Sequence, residues 1–155
     1  VGIRYAGADS GLTGVEFSIA GLADFFVPPP QPVIPTALFF GNVQAPPDTS
    51  ESTPLRGGMN AAWAECLTGD QALFRVTLVY SGPPPSDRTL EVKRKYPPTN
   101  REFRAPLFVR CDDPFFTKVS VTGGCYVLNP SANPVPACQL PVVPNTWSGV
   151  KALFR

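Results

Sequence analysis

Apolar and polar positions alternate with a period of two along much of this 155-residue chain. Val15, Phe17 and Ile19 alternate with Glu16 and Ser18, the pattern of a half-buried strand, and Gly21 ends the run. Residues 36–43 form a second apolar run, after a segment holding Pro28, Pro29, Pro30, Pro32 and Pro35. Met59 to Cys66 carries alanines that favour a helix, but its short span between Gly58 and Gly69 fits a strand better. Phe74, Val76, Leu78 and Tyr80 line one face of a further strand, with Arg75 and Thr77 opposite. A stiff turn from Ser81 to Asp87 then leads to Leu90 and Val92, which alternate with Glu91, Lys93 and Lys95. These two runs are expected to pair antiparallel, the second facing solvent or near an edge, where lysines discourage unwanted pairing. Leu107 to Arg110, Phe116 to Val121 and Cys125 to Leu128 complete the series, separated by Cys111-Asp112-Asp113-Pro114 and by Gly123-Gly124.

Short strands at such intervals predict an all-β fold, a single β-sandwich of immunoglobulin-like or jelly-roll-like kind spanning residues 1–145. Residues 44–58 read as a long surface loop. Residues 146–155 break the pattern. Trp147, Val150 and Phe154 stand at i, i+3 and i+7, Thr146 can cap a first turn, and Arg155 suits a helix end, although Gly149 weakens a helix. With Leu153 added, this is an apolar docking tail, for its own domain or for a neighbouring subunit.

Composition sharpens the picture. Twenty prolines exclude long helices and act as rigid spacers between strands. The chain has no histidine, which removes the commonest general base and the usual zinc and haem ligands. Charged residues make up only 16%, which suits a surface that is covered by something. Residues 1–87 hold three basic against eight acidic side chains, and residues 88–118 hold eight against four. That asymmetry suits head-to-tail association. The basic stretch is interrupted by Glu91 and Glu102, so nucleic acid is not an expected partner. No stretch has the apolar length of a membrane span, and a start at Val1 fits a processed, secreted form.

Cys66, Cys111, Cys125 and Cys138 form no C-x-x-C pair, and an even set of isolated cysteines reads as two disulfides made in an oxidising compartment. Three pairings are possible. Cys66–Cys111 with Cys125–Cys138 is the preferred one, the second closing a short proline-rich loop.

Candidate chemistry is thin. Asp112 and Asp113 form an adjacent acidic pair, better explained by a turn before Pro114 than by a calcium site. Ser148-Gly149-Val150-Lys151 matches S-x-x-K but lacks the partner motifs of acyl-serine enzymes. Neither catalytic residues nor a cofactor is expected. Tyr5, Phe25, Phe26, Trp63 and Tyr126 are candidates for stacking on sugars, with core packing as the commoner use.

Gly14 to Leu22, Asn60-Ala61-Ala62-Trp63 with Cys66, Pro97-Pro98-Thr99-Asn100, and Pro106-Leu107 with Cys111 to Gly124 together carry a resemblance. So does the ending Trp147, Lys151, Leu153, Arg155. The chain resembles a group of uncharacterised, secreted bacterial proteins known mainly from environmental genomes. Ser120 departs from it where many relatives have a cysteine. The resemblance implies an extracellular β-domain and brings no activity with it.

The expected function is that of a structural subunit in an extracellular or cell-surface assembly, a filament or surface layer built from copies of this chain. The candidate contact residues are Val1, Ile3 and Tyr5 at one end and Trp147, Val150, Leu153 and Phe154 at the other. A secreted adhesion or carbohydrate-binding module is the alternative. Mass mapping of non-reduced peptides should return Cys66–Cys111 and Cys125–Cys138, whereas free thiols throughout would remove the argument for an oxidising compartment.

Overall fold

The computed structural model describes residues 2–5, 11–44, 57–83 and 86–131. Among these every regular element is a strand. They are β1 (Gly2–Tyr5), β2 (Leu12–Ala20), β3 (Gln31–Pro32), β4 (Leu38–Asn42), β5 (Gly58–Leu67), β6 (Gln71–Arg75), β7 (Arg88–Lys93), β8 (Leu107–Arg110), β9 (Lys118–Ser120) and β10 (Cys125–Leu128). Two sheets form an open β-sandwich. The smaller has the order β1-β6-β3, and the larger runs β10-β7-β2-β5-β4 with β8 paired to β2 and β9 to β8.

β2 is the hub of the larger sheet. One edge pairs with β5, while the other pairs with β8 through Leu12–Glu16 and with β7 through Ser18–Ala20. Its β-branched and aromatic residues Val15, Phe17 and Ile19 suit a pleated surface facing the sandwich interior. Packing between the sheets centres on Phe74 of β6, which is fully buried. Its ring lies 5.9 Å from Phe39 of β4, 5.9 Å from Trp63 of β5 and 6.4 Å from Phe17 of β2. Tyr5 of β1 and Phe108 of β8 make a second bridge, with ring centroids 5.5 Å apart. Tilted and edge-on rings at such separations add to the gain from burial.

A disulfide joins Cys66 of β5 to Cys111 just after β8, with their Cα atoms 5.6 Å apart. Gly11 backs directly onto both sulfurs, and a Cβ there would collide with them, so glycine is required. Cys125 is likewise not a free thiol, and its expected partner Cys138 lies outside the described residues.

Several local expectations change in the assembled sandwich. Met59–Cys66 is a strand, as its length suggested. The runs at 74–80 and 88–93 do not pair with each other. β6 gives its edges to β1 and β3, and β7 gives its own to β10 and β2, so the segment between them passes from one sheet to the other. β7 is therefore an inner strand, and Leu90 and Val92 are buried there. β6 ends at Arg75, after which Val79 exchanges two backbone hydrogen bonds of 2.9 Å with Phe26. Ile3 and Tyr5, candidate subunit contacts by sequence, are only 3% and 2% exposed and belong to this chain's own core. Their strand β1 reaches that position by pairing along β6. Val1, Trp147, Val150, Leu153 and Phe154 lie outside the described residues.

Because Phe74 touches three strands of the facing sheet, Phe74→Ala should cost about 3–5 kcal/mol. Denaturant unfolding monitored by tryptophan fluorescence measures this, and a loss below about 1 kcal/mol would mean the sheets do not depend on it.

Candidate binding trough on the outer face

The outward side of the larger sheet follows directly from its register. Leu38, Ala62, Gly14, Val109 and Lys118 form one cross-strand row, and Phe40, Asn60, Glu16, Leu107 and Ser120 form the next. Small residues occupy the middle of the first row. Gly14 lacks a Cβ, and one placed there would press on Ala61 O and Val109 Cγ2 at 3.3 Å. The result is a trough of about 300 Å³ floored by Gly14 and Ala62 and walled by Leu107 and Val109, with Glu16 and Lys118 at its margins.

Among the described residues β4 is the outermost strand beside the trough. Its interior-facing Phe39 packs on Phe74, whereas Leu38 and Phe40 point outward and are 70% and 76% exposed. The strand Leu-Phe-Phe-Gly-Asn contains no charge and no proline, the usual devices that blunt an edge.

The second row ends in a polar cluster. Glu16 and Ser18, expected on a solvated face, are 5% and 0% exposed. Residues 94–99 cross the outer face of β2 and cover them. Ser18 Oγ donates to Arg94 O at 2.7 Å, and the Thr99 N–H donates to Glu16 Oε1 at 2.9 Å. Asn60 completes the cluster with its amide nitrogen turned to Glu16 Oε2 at 3.2 Å and its oxygen accepting from Thr99 Oγ1 at 3.2 Å. That orientation is required because a carboxylate can only accept. Glu16 thus has neutral donors but no cation beside it among the described residues.

The acidic pair serves the turn between β8 and β9. Arg110 grips Asp112 with two hydrogen bonds, Nε to Oδ1 at 2.9 Å and Nη2 to Oδ2 at 2.6 Å. Asp113 Oδ1 accepts from the backbone N–H groups of Phe115 and Thr117. The Arg110 hydrogen bonds hold the Asp112 carboxyl below the usual range. At Asp113 partial desolvation acts upward but is outweighed by hydrogen bonds from Thr117 and Phe115, so it too is lowered. No group of three or more potential metal-ligating His, Cys, Asp or Glu side chains gathers among the described residues. Phe115 and Phe116 at the tip of this turn are exposed.

Other sequence candidates are dispersed. Trp63 and Tyr5 are core residues, Phe25 meets Tyr80 in a tilted ring contact at 5.4 Å, Phe26 is exposed, and Tyr126 lies half-buried on β10. Ser148 and Lys151 lie outside the described residues. Sequence reasoning missed the trough and the exposed pair on β4. A usable signal existed in Leu38-Phe39-Phe40, because consecutive large apolar residues on a strand must face both ways.

The chain matches no protein-family model, no curated protein and no solved structure. No helix among the described residues is long and apolar enough to cross a membrane.

Lowered carboxyl pKa values stabilise the fold above the unfolded value near 3.9, and that stability is lost as pH falls through the folded values. Arg110→Met should therefore start acid unfolding at higher pH than the parent, read by circular dichroism between about pH 5 and 2. Identical acid profiles would show that the Arg110 contacts carry no stability.

Proposed function

We propose that this protein is a non-catalytic structural subunit of an extracellular assembly, a filament or surface layer in which copies of the chain contact one another. The observation that carries the reading is the uncharged edge strand β4, with Leu38 and Phe40 exposed beside an apolar trough. An edge of this kind is a template for pairing, and isolated soluble domains guard against it. Large apolar side chains rarely stand together in the open unless a partner covers them. The Cys66–Cys111 disulfide is compatible with an oxidising, extracellular setting. The low charge content of the chain supports a covered surface in the same way.

A carbohydrate-binding module is the second reading, favoured by the exposed Phe26 next to the tilted ring pair Phe25 and Tyr80. Its platform lies on different residues from β4, so the two readings separate cleanly.

Negative-stain imaging of the purified protein at rising concentration should reveal ordered oligomers or fibres. Leu38→Ser with Phe40→Ser should abolish or strongly weaken them while leaving the melting temperature nearly unchanged, because both side chains already face water. Monodisperse monomers at every concentration would refute the assembly reading. Glycan-array binding lost in Phe26→Ala but kept in the β4 variant would favour the second.

A further inference from the structure

We propose that the trough floored by Gly14 and Ala62 receives the C-terminal segment Trp147–Arg155 of a second copy of this chain, an inference that rests on the assembly reading.

Shape and chemistry are the first support. The trough offers about 300 Å³ between apolar walls, opened by the absence of side-chain bulk at Gly14 and Ala62. The segment brings Trp147, Val150, Leu153 and Phe154 within nine residues, enough large apolar surface to fill and overlap such a site. Leu38 and Phe40 continue the apolar surface on the β4 side.

Charge is the second. Glu16 lines the trough, is 5% exposed, and among the described residues its carboxylate is met by the neutral donors Thr99 and Asn60 alone. Buried carboxylates are ordinarily paired with a cation. Lys118 on the far wall makes no ion pair with it. The segment supplies Lys151 and Arg155 among its apolar residues, and it contains no acidic side chain.

Chain length is the third. Between Ser131 and Trp147 lie residues 132–146, which include Pro134, Pro136, Pro141 and Pro144. Proline-rich spacers are semi-rigid and extend about 3.1 Å per residue, which gives a reach of roughly 45 Å. The sheet from β10 across to β4 spans only about 19 Å at ordinary strand spacing. Counted from Cys138, the residues up to Trp147 still reach about 25 Å. A spacer of this reach is long enough for the segment to meet the trough of a neighbouring copy. One trough and one segment per chain make a heterologous contact, which propagates into an open polymer.

The test uses the full chain with the exposed Leu38, the register neighbour of Ala62 beside the trough, replaced by the apolar photo-cross-linker p-benzoylphenylalanine, mixed in equal parts with protein labelled uniformly with nitrogen-15. Irradiation should yield cross-linked peptides joining position 38 of one isotope to residues 147–155 of the other. Cross-links confined to one isotope would mean that the segment folds onto its own trough, and would overturn the proposal. Absence of any cross-link to 147–155 would overturn it equally. Two unlabelled variants give an independent readout. Ala62→Arg fills the trough from an exposed position, and Lys151→Glu with Arg155→Glu reverses the charges. Each should raise the concentration needed for assembly about tenfold or more without lowering the melting temperature. Assemblies that persist in both variants without mixed-isotope cross-links sink the trough contact and leave the assembly reading standing. A parent protein that stays monomeric and gives no mixed-isotope cross-link sinks both.

Discussion

β2 must be paired along both edges, and the rest of the sandwich is arranged around meeting that demand. Backbone donors and acceptors buried in a sheet interior need partners, and β2 finds them on β5, β8 and β7. Its inner face packs towards Phe74 through Phe17. Its outer face carries Gly14, Glu16 and Ser18, none of which makes a hydrophobic layer. Two different solutions follow along the same nine-residue strand. Over Glu16 and Ser18 the chain from Arg94 to Thr99 supplies backbone and side-chain hydrogen bonds. Over Gly14 nothing in the described structure closes the sheet, and the trough is what remains.

The stabilising elements sit around this strand. The Cys66–Cys111 disulfide ties β5 to the end of β8, the two strands that flank the first half of β2. A cross-link over 45 residues typically contributes about 2–4 kcal/mol, chiefly by restricting the unfolded chain. Arg110 and Asp112 fix the turn that follows β8, and Tyr5 stands against the same corner, where burial raises its phenol pKa. The disulfide and the Arg110–Asp112 contacts thus brace the ends of β5 and β8, the strands that line the trough with β2.

The sequence made the strands legible and left their neighbours undecided. Period-two alternation identified β2 and β7, short apolar runs between turn signals identified β8 and β10, and the span between Gly58 and Gly69 identified β5, because these signals are local. Pairing is not local. The 74–80 and 88–93 runs look like a hairpin when read next to each other, yet Phe74 is needed between the sheets and Leu90 beside β2. Glu16 misled for a related reason. A carboxylate on an alternating strand reads as solvated, and its burial depends on Thr99 and Asn60, distant in sequence and brought near only by the fold.

By itself the sequence determined an all-β chain with proline spacers and no histidine chemistry, because composition and local periodicity act within a few residues. Tertiary structure decided which apolar residues are spent and which are spare. Ile3 and Tyr5, attractive as contact residues on paper, are consumed by the core, while Leu38 and Phe40 are left in the open. That division follows from register, since a residue's face is set by the strand it pairs with, and no local pattern specifies the partner.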